Sequence, residues 1–520
     1  MNRIRVVPSL SLLLVVLLSA VGAAAREYDV RDFGAAGDGK TLDTKAVQAA
    51  IDKCAAEGGG RVVLAGGRVY LSGGVVLRSN VTLFIDAGSV LRGSLDKDDY
   101  PDITPKLPYL YTERFTRHLI YAEGVRNIGI AGQGTIDGQG THAVFDHREN
   151  PGDKDRPYIL RFVECTNVRV RDVTMLESAR WCSHYLACDN VVIDGVTILS
   201  SERANRDGID VDSCNRVRIA NCRVETGDDA IVLKATAHRP CKNVTVVNCN
   251  LSSQAAAFKL GTESNGGFEN IVLSNSTIYD TGGSGLALLM VDGAVLDRVS
   301  ISNVVMDNVA APLCIRLGNR ARPMPGEDPP GMGSMRNIVI RGVQARGAGP
   351  LGCYASGIPG EYIENLTLRD IRIEFVGGGT LEQAKADVPE REDAYPGQRT
   401  LGTLSAYGLF VRHVRNLTLD GLDLSYDPEE GERRPALVLD DVFDANLSKL
   451  RLLPVEQMPA VRLLNCQGVL LHGCLPAAAQ GPFVGVEGEQ SRDITLTGND
   501  LRRAQPPMVI DESVPQGAVP

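Results

Sequence analysis

The chain has 520 residues and a formal net charge of −10, with 55 glycines and only 5% aromatic residues. The acidic balance disfavours nucleic acid as a partner, while 43% apolar residues suffice for a core. Abundant glycine with few aromatic side chains is typical of tight turns between layers of aliphatic residues. The length permits one large domain, because repetitive β architectures outgrow the usual domain size.

Residues 1–25 have the features of a secretory signal peptide. Arg3 and Arg5 precede a mostly apolar run at 10–18, and the small residues at 23–25 offer a cleavage site. The alternative is a membrane anchor, for which the apolar run is short. We therefore expect a secreted or periplasmic monomer that is not attached to a membrane after cleavage.

Residues 26–60 are expected to form an N-terminal cap around one short amphipathic helix. The apolar positions that share one helical stripe are Ala46, Val47, Ala50, Ile51 and Cys54. Asp43 or Thr44 can cap the start of this helix, and three glycines at 58–60 end it. A lone helix before a long β region predicts a cover over the open hydrophobic end of that region.

Strand-like segments that begin at an asparagine recur through residues 61–505. Examples begin at Asn167, Asn190, Asn215, Asn243 and Asn270, and successive segments start about 23–28 residues apart. Alternating apolar strands at this interval, without helices between them, fit a solenoid better than βαβ units. The sequence predicts an all-β fold, a right-handed parallel β-helix, with a β-sandwich as the alternative. Each asparagine is expected at a corner, in left-handed backbone geometry, bonded to the next coil.

Two segments depart from this repeat. Residues 376–405 form a polar insertion with several glycines and prolines, and insertions in solenoids usually gather on the binding face. Residues 506–520 are expected to be a loose C-terminal tail. Of the twelve cysteines, Cys165, Cys188, Cys222 and Cys249 keep the register of the repeat, and no CxxC pair occurs, so we expect mostly free buried thiols with at most one or two disulfides.

Five aspartates gather in one stretch of the repeat. Asp207, Asp210 and Asp212 precede a strand-like run, and Asp228 and Asp229 follow it. If the chain coils back every twenty-odd residues, Asp207 and Asp228 stack on adjacent coils. Crowded carboxylates push their pKa values apart, which suits a general acid beside a general base. A solvated acidic patch and a calcium site are the alternative interpretations.

Other chemically useful side chains fall on neighbouring coils. Trp181, the single tryptophan, is either a stacking surface for a sugar ring or a packed corner residue. His184 lies one coil before Asp207 and is either a structural hydrogen-bonding group or a catalytic one. Arg316 can bind a carboxylate in a forked pair or form a surface salt bridge.

These motifs together resemble a known family. The residues that carry the likeness are Asn205-x-Asp207-Gly-Ile-Asp210, Gly227-Asp228-Asp229, and Arg316 near Asn319. With the segments at 32–39 and 134–140, they resemble the family 28 glycoside hydrolases, the polygalacturonases. The resemblance covers roughly residues 27–375, and the two aspartate motifs at this spacing are more specific together than either alone.

The resemblance implies an enzyme that hydrolyses α-linked galacturonan, or a related pectic polysaccharide, with inversion. It implies that Asp228 is the general acid, while Asp207 and Asp229 activate the attacking water. Inversion needs acid and base about 6.5–9.5 Å apart. Asp228 and Asp229 are adjacent, so both can face outward only if the chain forms a corner or bulge there. No metal or cofactor is expected. The expected substrate-binding residues are Trp181, His184, Asn205, Asp210, Lys259, Arg316 and Asn319.

The chain departs from the family pattern in two places. The family has Gly-His-Gly one coil after the acid pair, where residues 252–264 contain no histidine, and Arg-x-Lys where residues 316–318 read Arg-Leu-Gly. Lys259, Lys234 or His184 are candidates for the missing roles, and another uronate- or rhamnose-containing polysaccharide could be the substrate. Two other functions stay open: a calcium-dependent polysaccharide lyase and a non-catalytic β-helix that binds glycans.

Overall fold

The computed structural model describes residues 26–111, 116–146, 156–201, 205–478 and 481–519, and the expected signal peptide at 1–25 lies outside them. The strands of the described residues pair in parallel from coil to coil, as between Ser183–Leu186 and Ile209–Asp212. This pairing confirms the predicted parallel β-helix and excludes the β-sandwich, whose sheets are antiparallel. The right-handed sense is the one that parallel crossovers almost always take.

The strands form three parallel sheets that run along the β-helix. They are called first, second and third in the order in which the chain enters them. First-sheet strands are Glu27–Asp29, Gly60–Leu64, Val81–Ile85, Arg126–Gly132, Thr166–Arg171, Asp189–Asp194, Asn215–Ala220, Cys241–Val247, Gln467–His472 and Arg492–Thr497. Second-sheet strands are Asp38–Leu42, Val69–Ser72, Val90–Gly93, Thr135–Asp137, Thr174–Leu176, Thr197–Ser200, Arg223–Thr226, Asn250–Ser253 and Arg451–Leu452. Third-sheet strands are Val75–Val76, His118–Glu123, Tyr158–Val163, Ser183–Leu186, Ile209–Asp212, Ile231–Lys234, Ala256–Leu260, Cys353–Ser356, Val461–Leu464, Val484–Glu487 and Met508–Ile510. Six longer strands bend through more than one sheet: Phe268–Met290, Val295–Leu317, Ser334–Ala348, Ile363–Phe375, Leu409–Tyr426 and Leu437–Ser448.

Asparagines turn the chain in the first sheet, as predicted. Asn127, Asn167 and Asn190 have φ of 55°, 58° and 58°, in the left-handed region that asparagine tolerates. The Nδ2 of Asn127 donates to Asn80, that of Asn167 to Asn127, and that of Asn190 to Asn167, over 2.8, 2.9 and 3.1 Å. Further ladders join Asn215, Asn243 and Asn270, and Asn337, Asn365 and Asn416.

Aliphatic side chains stack in columns inside the coils. Val168, Val191 and Val217 occupy successive positions in the first sheet and are at most 1% exposed. All twelve cysteines are free and buried, so they act as small apolar groups in these columns and the disulfides that we allowed for are not formed.

The ends of the β-helix extend further than the sequence predicted. The helix Thr44–Ala56 buries Val47, Ala50, Ile51 and Cys54 in the same core as the coils. Strands before and after this helix already belong to the first and second sheets, so the coils begin before the expected boundary at residue 61. The strand at 508–510 pairs within the third sheet, so the expected loose tail contributes to the fold.

The remaining helices are short. They are Leu381–Ala384 and the 3-10 turns Val30–Phe33, Lys97–Asp99 and Ala143–Phe145. In the described part of the chain, no helix has the length and apolar character needed to cross a membrane.

The insertion at residues 376–405 folds back over the outer face of the third sheet. Its residues Val388, Leu401 and Leu404 join a second apolar cluster with Ala287 and Leu289 of that sheet. The insertion therefore forms a wall beside the coils that carry the aspartates.

Replacing Asn167 with Ala should lower the free energy of unfolding by about 1–3 kcal/mol, because it strains left-handed backbone and removes two ladder hydrogen bonds. Asn167→Gly is the control, since glycine adopts the same φ without strain but loses the same bonds. Urea denaturation of both variants measures the difference. Equal losses would assign the whole effect to the hydrogen bonds.

Candidate active site

Asp207 and Asp229 lie on neighbouring coils at the entrance to the third sheet. The N–H of Gly208 donates to the backbone carbonyl of Asp229 over 2.9 Å, and Ile209 pairs with Ile231 in the strands that follow. The coil-to-coil neighbour of Asp207 is therefore Asp229, whereas the sequence suggested Asp228.

Asp228 occupies the corner between the second and third sheets, where the sequence required a turn. Its backbone carbonyl accepts hydrogen bonds from the hydroxyls of Thr226 and Ser253, each over 2.6 Å. Its carboxylate accepts from the N–H of Asn205 (2.9 Å) and from the N–H of Asp229 (3.0 Å). These bonds hold the corner so that adjacent aspartates project into the same space.

The three candidate catalytic carboxylates form one compact cluster. One oxygen from each of Asp207, Asp228 and Asp229 lies within 4.8 Å of the others. Asp228 is the most accessible of the three, while the other two are at most 3% exposed. These nearest oxygens do not leave the gap of about 6.5–9.5 Å expected for inversion, and their separation is closer to the 5–5.5 Å of retaining enzymes.

Two lysines neutralise this cluster. The Nζ of Lys259 donates to Asp229 over 2.8 Å. The Nζ of Lys234 lies 3.6 Å from Asp207, 3.7 Å from Asp210 and 3.6 Å from Glu263. Burial disfavours both ammonium groups, but the facing carboxylates outweigh it and raise the pKa of each lysine.

The carboxyl groups of the site differ in the direction in which their pKa values are shifted. Burial raises the pKa of Asp228, and the charge of Asp229 raises it further. Burial and the charges of Asp210 and Asp228 likewise raise the pKa of Asp207. Although burial opposes ionisation of Glu263, Lys234, Arg320 and Lys259 lower its pKa to about 2. The site thus holds carboxyl groups whose pKa values are shifted in opposite directions, as acid–base chemistry requires.

The aspartates lie where two cavities meet. The first, the charged chamber, has a volume of about 370 Å³, and its lining includes Tyr111, Arg180, Lys234, Glu263, Arg320 and Arg322. The second, the loop chamber, has a volume of about 500 Å³, and its lining includes Gln254, Ser284, Ala287, Leu289, Pro396 and Gln398. Asp228, Asp229, Lys259 and Tyr395 line both. A substrate that extends from one chamber into the other would pass the acid pair.

Trp181 and His184 are packed groups. Trp181 lines the charged chamber but is only 6% exposed, and the Nζ of Lys234 lies 4.5 Å from the centre of its ring. His184 is fully buried with its Nε2 3.3 Å from Asp212, and burial lowers its pKa to about 4. Of the two interpretations given to each residue, the structure favours the structural one.

The structure does not bring Arg316 or Asn319 to the lining of either cavity. Arg316 is 1% exposed, and its guanidinium donates to groups that include the insertion's backbone. Its acceptors are Ser356 Oγ (2.8 Å), Gly357 O (2.9 Å), Glu390 O (2.6 Å) and Arg391 O (3.1 Å). Arg316 therefore holds residues 376–405 against the coils, and its guanidinium is not placed to bind a substrate carboxylate as the sequence predicted.

Several lining residues were not predicted. Tyr111 and Tyr395 come from non-repeating segments, so no periodic pattern marks them. Glu263 stands one coil after Ala235, whose N–H donates to the Glu263 carbonyl. Its position one coil after Lys234, which the sequence had already offered as a candidate, was the available signal for Glu263.

The family model described as glycosyl hydrolases family 28 matches residues 102–390. This match covers more than half of the chain and includes the three aspartates and both lysines. The chain belongs to this family.

Individual relatives agree with this assignment. A probable polygalacturonase from Vitis vinifera is 33% identical over 275 residues, which cover 49% of this chain and 55% of that protein. The chain thus spans little more than half the length of this relative. A hyperthermoactive exopolygalacturonase from Thermotoga maritima matches with 25% identity and a TM-score of 0.60, over 67% of this chain and 87% of the other. A family 28 exopolygalacturonase from Yersinia enterocolitica has the same fold, with 20% identity and a TM-score of 0.64, over 81% and 78% of the two chains.

Arg316→Ala should lower the free energy of unfolding by about 2–4 kcal/mol, because it leaves several buried acceptors without a donor. It should also speed protease cleavage within 376–405. The measurements are denaturant unfolding and limited proteolysis with mapped fragments, and the exposed Arg341→Ala is the control. An unchanged cleavage rate would show that other contacts, among them those of Arg412 and of the second apolar cluster, hold the insertion without Arg316.

Proposed function

We propose that this chain is an inverting glycoside hydrolase that cleaves galacturonan, or a related uronate-containing pectic polysaccharide, outside the cytoplasm. The observation that carries the proposal is the cluster of Asp207, Asp228 and Asp229 at the junction of two cavities, in a member of family 28. The names of the relatives support galacturonan as the substrate class. The signal-like sequence at residues 1–25 supports export.

Asp228 is the proposed general acid. It is the most accessible carboxyl of the three, its pKa is raised, and both chambers open onto it. It donates its proton to the glycosidic oxygen as the bond from that oxygen to the anomeric carbon breaks. Asp229, paired with Lys259, and Asp207 orient a water molecule, and its oxygen bonds to the anomeric carbon as its proton passes to a carboxylate.

The charged chamber is the proposed binding site for a uronate carboxylate. Arg320 and Arg322 approach Glu263 within 3.8 and 3.7 Å, and Arg322 also donates to the Tyr111 hydroxyl over 3.3 Å. The guanidinium of Arg320 already forms a forked pair with the buried carboxylate of Asp292. The side chain of Arg322 is 35% exposed, and a guanidinium can bind a uronate carboxylate in such a forked pair.

The two lysines favour a hydrolase over a calcium-dependent lyase. Lys259 and Lys234 contact the carboxylates that a calcium ion would need as ligands. A protein that only binds glycans has no need for a partly exposed carboxyl group with a raised pKa beside an ion-paired one.

The stereochemistry of the product tests the proposal directly. Reducing-sugar release from polygalacturonate, with a chelator present, is followed by NMR of the newly formed anomer. We expect the inverted anomer. A retained anomer would agree with the short carboxylate separation and make Asp207 or Asp229 a nucleophile. An unsaturated product that forms only with calcium would establish the lyase, and polymer binding without any product would favour a glycan-binding protein.

Asp228→Asn should lower kcat on polygalacturonate by about 10²–10⁴-fold, because the asparagine amide cannot donate the proton. Binding of the polymer should persist, as measured by calorimetry. Asp307→Asn, at a site that is 58% exposed by side chain, is the matched control and should leave the rate unchanged. An unaltered rate in Asp228→Asn would remove this residue from the mechanism.

Lys259→Met should shift the alkaline limb of the kcat/KM profile to higher pH. The charge of Lys259 lowers the pKa of Asp228, so its removal keeps the acid protonated to higher pH. Activity is lost as pH rises through the pKa of the acid, and this limb therefore reports Asp228 in the free enzyme. Lys259→Arg keeps the positive charge and should leave the limb nearly in place. An unmoved limb in both variants would mean that another group sets it.

A further inference from the structure

A second groove lies on the outer face of the first sheet, away from the aspartates. It crosses the five strands that begin at Val81, Arg126, Thr166, Asp189 and Asn215, and it has a volume of about 670 Å³. Its lining shares no residue with the charged chamber or the loop chamber. The small residues Gly129 and Ala131 form part of its floor, which leaves a depression in an otherwise regular sheet.

Three arginines line this groove, and no carboxylate is among its described lining residues. Arg169 pairs with Val192, which pairs with Arg218, so the two arginines are two strand spacings, roughly 9–10 Å, apart. Arg171 lies two residues beyond Arg169 on the same face, and its side chain is 50% exposed although Asp194 lies 3.6 Å away. Arg169 and Arg218 are both exposed. In a chain of net charge −10, this is a local concentration of positive charge.

Hydrogen-bond donors follow the edge of the same groove. Asn127, Asn167 and Asn190 line it, and each uses one amide N–H to bond the preceding rung of the asparagine ladder. A carboxamide carries two N–H donors, so the ladder itself uses only half of this capacity. The edge can therefore donate hydrogen bonds to hydroxyl or carboxylate oxygens at successive coils.

We propose that this arginine groove is a second binding site for a uronate-containing polysaccharide, separate from the site of cleavage. Guanidinium groups that repeat along the groove match a polymer whose carboxylates repeat, better than they match a single small anion. The described lining residues include no aromatic side chain to stack on nucleobases, which disfavours single-stranded nucleic acid among polyanions. The inference rests on the proposed function for the identity of the polymer, but its anionic character follows from the groove alone.

Such a site would hold the protein on its polymer between cleavage events. Binding at two sites on one polymer makes the second contact intramolecular, which raises the effective substrate concentration at the first. The groove therefore affects long substrates and not short ones.

Affinity electrophoresis through gels that contain polygalacturonate tests the groove without turnover. All chains carry Asp228→Asn so that the polymer stays intact, and one adds Arg169→Ala with Arg218→Ala. Because two exposed charge contacts are lost, we expect the affinity for the polymer to fall about five- to tenfold. Arg341→Ala with Arg503→Ala removes the same charge from other exposed positions and should leave the affinity unchanged. Fully methyl-esterified pectin, which lacks the carboxylate charges, should not show the arginine-dependent retardation.

Equal retardation of the groove variant and its control would overturn the proposal, as would equal arginine-dependent retardation by single-stranded DNA. In chains that keep Asp228, the groove variant should raise KM on polygalacturonate and leave kcat/KM on trigalacturonate unchanged. A loss on trigalacturonate as well would also overturn the proposal, because it would place the arginines' effect at the active site. If no sugar is released by any chain but the groove variant still loses affinity, the hydrolase proposal fails and the groove remains.

Discussion

The parallel register from coil to coil is the constraint on which the rest of this structure depends. Every strand repeats the backbone position of the coil before it, about 4.8 Å away, so side chains of one column are forced into contact. In the core this stacks valines, and at the corners it builds asparagine ladders. At the entrance to the third sheet it places Asp207 beside Asp229, and the corner adds Asp228. The acidic cluster is thus a direct product of the coil geometry.

Such a cluster needs compensation, because buried like charges destabilise a fold unless they are paired or protonated. Here the same register supplies it: Lys234 ends one third-sheet strand, and Lys259 lies in the next. Two ammonium groups do not balance Asp207, Asp210, Asp228 and Asp229 together, while Glu263 is also faced by Arg320 and Arg322. Burial and mutual repulsion favour protonation at Asp207 and Asp228. The excess of aspartates over ammonium groups therefore favours the protonated Asp228 that the proposed acid catalysis needs.

The repeating features could be predicted from the sequence, because they follow from local periodicity. The asparagine spacing predicted the coils, and the two aspartate motifs predicted the cluster to within one residue of its register. The role of Arg316 could not be predicted, since its partners lie in an insertion whose path has no period. The same limit applies to Tyr395, and to Trp181, whose ring packs against Tyr111 from a non-repeating segment. Predictions were reliable where neighbours are set by the repeat and failed where a non-repeating segment supplies the neighbour.

The coils and the insertion at 376–405 contribute different parts of the site. The coils supply the aspartates and lysines, whereas the insertion supplies Tyr395 and the wall of the loop chamber. Besides its apolar contacts, it is attached to the coils through its own backbone carbonyls, which accept from Arg316 and Arg412. Backbone acceptors are present whatever the side chains are, so the insertion can change its sequence without losing this attachment. The shape of the loop chamber can therefore change with the sequence of the insertion while the aspartates and lysines of the coils stay in place.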